Sequence, residues 1–249
     1  MSGNVFGGTS PIKKEHVQQV YDLLQVNMPP HISLIRNIGS AGFKSESGDI
    51  DVFLDAGEVK QHFDSEDDKH AKIALAHYFI NKGFEAKILG RNVHLKFPYT
   101  VDHNKKEVQI DLMLIPNAAK VADWHQHGPR GMYDVPEFKA GHLFMLLNSI
   151  GKFLGLKIDA FTGSVKRRDD NSVVADTRAK AAKILLSPDA KATDLNSVAS
   201  VMNALRNDPD KEGKLMQARA DVNKGILTLP EDITPGTAAW FRKMSNITL

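Results

Sequence analysis

Three aspartates carry the chemistry this sequence can offer: Asp49 and Asp51 in Gly48-Asp-Ile-Asp-Val-Phe, and Asp111 in Val108-Gln-Ile-Asp-Leu-Met. Both segments read as strands, in which alternate side chains point to one face. Asp49 and Asp51 therefore project together, while Ile50 and Val52 go to the core. Asp111 lies in a second apolar run, Val108 to Ile115. Carboxylates set among apolar strand residues are expensive to bury unless cations or hydrogen bonds compensate them. A pair of divalent metal ions is one such compensation, and phosphoryl or nucleotidyl transfer is the chemistry such a site usually serves. Magnesium takes hard oxygen ligands and suits these aspartates better than the histidines of the chain, with manganese as the substitute.

Upstream, Gly39-Ser40 closes the apolar run that begins at Ile32. Glycine permits close approach, so the turn offers backbone amides and a hydroxyl to a phosphate; the plainer reading is a strand-to-loop turn. Lys44, Arg36 and Arg91 are cations within reach of such a site, and each alone reads as a solvated surface charge. His125 and His127 flank Gln126, with His142 further on. A His-x-His pair can hold a transition metal, but no third ligand follows at an obvious spacing. They read as partly exposed histidines near a domain junction. Lys166-Arg-Arg168 is the one dense basic cluster, and a run this short is usually solvated.

Ile38-Gly-Ser, Asp49-Ile-Asp and Gln109-Ile-Asp-Leu resemble, in order, spacing and strand context, the three signatures of the DNA polymerase beta-like nucleotidyltransferase superfamily. The resemblance covers the first half of the chain. It implies transfer of a nucleoside monophosphate from a nucleoside triphosphate such as ATP to an acceptor hydroxyl, with pyrophosphate released. It makes Asp49, Asp51 and Asp111 the catalytic, metal-binding triad for two magnesium ions, and Gly39 and Ser40 the grip on the triphosphate. Asp111 would help deprotonate the acceptor, and Lys139 and Lys152 would reach the triphosphate from a second domain. Gly48 stands where the family commonly has a hydroxyl residue. The glycine-rich opening and the layout are similar to nucleotidyltransferase-like proteins carried by bacteriophages. The acceptor stays open between RNA, a protein hydroxyl and a small molecule. A catalytically idle, nucleotide-binding or structural member of the same fold is the main alternative. A metal-dependent nuclease or phosphatase is another.

The elements that must position these groups follow from periodicity. Val17, Val20, Tyr21 and Leu24 stripe a helix over 13–26, stopped by Pro29-Pro30. Strands are expected at 32–38, 49–54, 84–89, 93–97 and through Asp111. Between them Ser65-Glu-Asp-Asp caps a helix running through Ile73, Ala76 and Ile80 to Gly83. Beyond Pro116-Asn117 the pattern turns helical, over 135–154, 177–186, a segment capped by Thr193, 212–224 and 237–244. The expected fold is α+β, and the resemblance implies a nucleotidyltransferase-like mixed sheet with helices over 1–117, then a mostly helical nucleotide- or acceptor-binding domain over 118–249.

Composition leaves this open. With 249 residues, 42% hydrophobic and 25% charged, the chain can bury a core, and a net charge of +2 argues for no polyanionic partner by itself. The absence of cysteine excludes disulfides, thiolate zinc sites and cysteine nucleophiles. No signal peptide and no membrane-length apolar run stands out, so a cytoplasmic protein without a membrane partner is expected.

Overall fold

A computed structural model describes residues 5–125 and 140–225, with only the backbone at 140–142. The chain divides into two compact units, Met1–Gln126 and His127–Leu249. Together they form a mixed α and β protein, in keeping with the class expected from the sequence. Among the described residues no helix is long and apolar enough to cross a membrane.

The first unit is built on a five-stranded sheet of β2 (Ile35–Ile38), β4 (Asp49–Asp55), β5 (Glu85–Leu89), β6 (Asn92–Val101) and β7 (Asn104–Ile115), in the order β2-β4-β7-β6-β5. Only β4 and β7 run parallel. Two short strands, β1 (Ile12–Lys13) and β3 (Glu46–Ser47), pair separately. One face of the sheet is apolar. Ile50, Val52 and Leu54 of β4, Ile110 and Leu112 of β7, and Val93 and Leu95 of β6 pack there in a single core. Helices α1 (Lys14–Asn27) and α3 (Asp68–Asn81) cover it. The α1 stripe is the expected one. In α3 the buried residues are Ala71, Leu75, Ala76 and Phe79, while Ile73 and Ile80 are partly exposed, so the inward stripe is offset from the expected one. Its cap is Asp67, which accepts from the His70 N–H; Ser65 instead donates to the Phe63 carbonyl.

The opposite face changes character along the strands. Toward the ends of β4 and β7 it is apolar, and Ile38, Phe53 and Ile115 pack against Ala118, Val121 and Ala122 of α4 (Ala118–His125). Helix α4 thus belongs to the first unit, and the division falls after it rather than at 117. Asp55 organises this corner. Its Oδ1 accepts the Gly57 N–H at the start of α2 (Ala56–His62), and Oδ2 accepts the Ala118 N–H at the start of α4.

The second unit holds α5 (Ala140–Phe153), α6 (Arg178–Leu185), α7 (Val198–Ala204) and α8 (Lys211–Asn223). A three-stranded antiparallel sheet of β8 (Leu156–Asp159), β9 (Ser164–Arg167) and β10 (Val173–Ala175) was not expected from the sequence. Thr177 caps α6 by accepting from the Lys180 N–H. Thr193 lies inside a 3-10 turn, and the true cap of α7 is Ser197, in reciprocal bonds with Ser200. The expected helix over 237–244 lies outside the described residues.

Because Asp55 caps two helices at once, Asp55→Ala is expected to destabilise the protein by roughly 2 kcal/mol, about 1 kcal/mol for each lost cap. Urea unfolding followed by circular dichroism checks this.

Candidate active site

The parallel pairing of β4 with β7 sets Asp51 directly opposite Asp111, and Asp49 opposite Gln109. Neighbouring strands lie about 4.8 Å apart, so the three carboxylates share one small patch of one face. On the other side of β7, the antiparallel register sets His94 opposite Asp111 and Lys96 opposite Gln109. Two polar rows result: Asp51, Asp111, His94 and Lys87, then Asp49, Gln109, Lys96 and Glu85. The first row therefore runs from acidic on β4 to basic on β5, while in the second Lys96 pairs with Glu85 and Glu107. Val5 and Phe6 lie against the Lys87 end of the first row. Phe6 is buried with the Lys87 ammonium 4.8 Å from its ring centre, and Lys87 Nζ donates to the Val5 carbonyl.

Asp51 is the electrostatic centre of the patch. Burial, then the charges of Asp49 and Asp111, push its carboxyl up from 3.8 to about 7. Like charges this close cannot all ionise without a compensating cation or proton. The carboxylate leans against the Gly39 turn. Gly39 has φ +74°, and a Cβ there would overlap Asp51 Oδ2 and come within 3.1 Å of its Cγ. Glycine is thus required twice, for the left-handed backbone and for the approach of the acid. Ser40 ties this turn to β3, its hydroxyl 3.1 Å from that of Ser47, two residues before Asp49. A Cβ at Gly48 would meet nothing within 4 Å, so packing does not demand glycine there.

Asp111 is held differently. It is 1% exposed, and its Oδ1 takes two hydrogen bonds: the Nδ1 of His94 at 2.7 Å and the Nε2 of Gln109 at 2.8 Å. Gln109 Oε1 in turn accepts the Val5 N–H at 2.9 Å. Sequence reasoning passed over His94. The one available signal was a histidine alternating with Val93, Leu95 and Phe97, which places it on the face away from the core.

The other candidates are dispersed. Arg36 pairs with Asp22 and lies over the Tyr21 ring. Lys44 is partly buried in its loop and Arg91 is exposed. His125 packs edge-on to Phe53, with ring centres 5.1 Å apart. Lys152 pairs with buried Asp221 within the second unit. Of the basic cluster, Lys166 pairs with Asp159, and Arg168 donates to the carbonyls of Leu156 and Asn148. His127, Lys139 and the side chain of His142 lie outside the described residues.

Among the described residues no three acidic or histidine side chains are drawn into a ready-made cage for an ion. The donor set nonetheless suits a hard divalent cation. The three side chains would offer only carboxylate oxygens, and such an ion would relieve both the burial and the mutual repulsion that raise Asp51.

No protein-family model and no curated protein matches this chain.

Two outcomes test this geometry. Gly39→Ala is expected to destabilise by about 2 kcal/mol or more, from the left-handed φ and the overlap with Asp51, and thermal unfolding measures it. The raised Asp51 carboxyl makes the folded chain bind more protons than the unfolded chain between the two pKa values. Metal-free stability should therefore fall as pH rises from about 4 to about 7, with a slope of up to ~1.4 kcal/mol per pH unit from this group. Urea unfolding in chelator across that range should show this component in the native protein and lose it in Asp51→Asn.

Proposed function

We propose that this protein is a divalent-metal-dependent nucleotidyltransferase of the DNA polymerase beta-like kind, transferring a nucleoside monophosphate from a nucleoside triphosphate to an acceptor hydroxyl. One observation carries the reading: the β4–β7 register, which sets Asp51 beside Asp111 with Asp49 on the same face, next to a glycine turn that leans on the acids. The three segments that resemble the superfamily signatures are the three that meet there.

Asp49, Asp51 and Asp111 would hold magnesium, which when bound neutralises triphosphate charge and makes an acceptor hydroxyl more acidic. The Gly39-Ser40 turn supplies backbone N–H groups and a hydroxyl for phosphate oxygens. The acceptor oxygen attacks the α-phosphorus. A new phosphoester bond forms, the α–β anhydride bond breaks, and pyrophosphate leaves with the bonding pair. Asp111, at the centre of the polar row, takes the acceptor proton. Asp51, whose carboxyl is raised to about 7 by burial and by the neighbouring acids, would be held ionised with a cation among them.

The test is incubation of the protein with each labelled nucleoside triphosphate, magnesium and total RNA, beside an Asp49→Ala, Asp51→Ala double variant. Label should move to RNA or to the protein with pyrophosphate released, and fall by at least about 100-fold in the variant, the scale expected for groups acting in the transition state. Release of orthophosphate or of nucleotide fragments would indicate a phosphatase or nuclease instead. Nucleotide binding without transfer to any supplied acceptor would indicate an idle member of the fold.

A further inference from the structure

The hydrogen bonds around Asp111 form a chain in which every donor is fixed by its neighbour. The Val5 N–H can only donate, so it selects the carbonyl oxygen of the Gln109 side chain and turns the amide NH2 toward Asp111. An ionised Asp111 can only accept, so the His94 nitrogen that touches it, Nδ1, is the protonated one. Both donors fall on the same oxygen, Oδ1, and neither on Oδ2. His94 is 6% exposed and Gln109 is fully buried, so water cannot readily stand in for either.

The cross-strand register makes this arrangement directional. Asp111 has Asp51 opposite it on β4 and His94 opposite it on β6. We propose that His94 is a positioning residue for Asp111. By holding Oδ1 it orients the carboxylate and leaves Oδ2 as the oxygen presented to a divalent cation shared with Asp49 and Asp51. This inference rests on the metal-dependent reading above and adds a residue to it. Partners that orient a ligating side chain in this way commonly matter 10–100-fold for metal affinity. A histidine that merely fills its place in the sheet would leave metal affinity unmoved when replaced by another side chain of similar bulk.

The probe is manganese alone, titrated into the full chain and followed by the electron paramagnetic resonance of the free ion. The variants are His94→Leu, His94→Asn and the Asp49→Ala, Asp51→Ala pair, each checked for native circular dichroism. Asparagine can offer an N–H close to the place of Nδ1; leucine cannot. Manganese affinity should fall about 10-fold or more in His94→Leu and stay within about 3-fold of native in His94→Asn. Native affinity in a folded His94→Leu overturns the role of His94, as does an equal loss in both folded His94 variants. Manganese binding by the native chain that the double variant retains overturns the metal site itself, and this inference with it. A measurement without variants supports the same decision. The nitrogen-15 spectrum of histidine-labelled native protein should show His94 as the Nδ1–H tautomer, and an Nε2–H tautomer overturns the proposal.

Discussion

The pairing register of two parallel strands governs this structure. Moving β7 by one residue against β4 would turn Asp111 into the apolar core and Ile110 out of it, because strand side chains alternate strictly. The core therefore enforces the acidic patch. Leu54, Leu112 and their neighbours hold the register by burial, and the register forces carboxylates together on the far side. The burial of Asp51 and its repulsion by the neighbouring acids are a local penalty sustained by packing on the opposite face of the same sheet.

That penalty is handled unevenly along the row. Asp111 receives two donors on one oxygen, while Asp51 faces the Gly39 turn and two other acids. Asp55, on the same strand, has no part in the patch, since its two oxygens begin two helices. Two paired strands thus carry acids with different duties, set by what stands beside each one. Beyond Asp51 the same face becomes apolar under α4, which bounds the patch at that end.

Much of this was legible in the residues. The Asp49–Asp51 alternation, the Asp111 run and the α1 stripe are local patterns, and local patterns survive folding. The offset in α3 was not legible, because Ile73 and Ile80 are as apolar as the Leu75 and Phe79 that the core selected. Helix α4 and the strands β8 to β10 are too short for periodicity to stand out. The partner of Asp111 was hidden for a different reason. His94 lies 17 positions earlier in the chain, and only the β6–β7 register brings its imidazole within hydrogen-bond distance of the carboxylate. The caps at Asp67 and Ser197 show a milder version, in which several neighbouring polar residues compete and backbone geometry chooses one.

The bond from the Val5 amide to Gln109 gives the segment around Val5 an unusual standing. Segments outside helices and strands are ordinarily the parts of a protein that tolerate change best. Here the backbone of the opening arm is two hydrogen bonds from an acid of the patch, and Phe6 anchors it beneath Lys87. A change at Val5 or Phe6 would pull on the same chain of donors that orients Asp111, so these two residues count as part of the sheet's polar face.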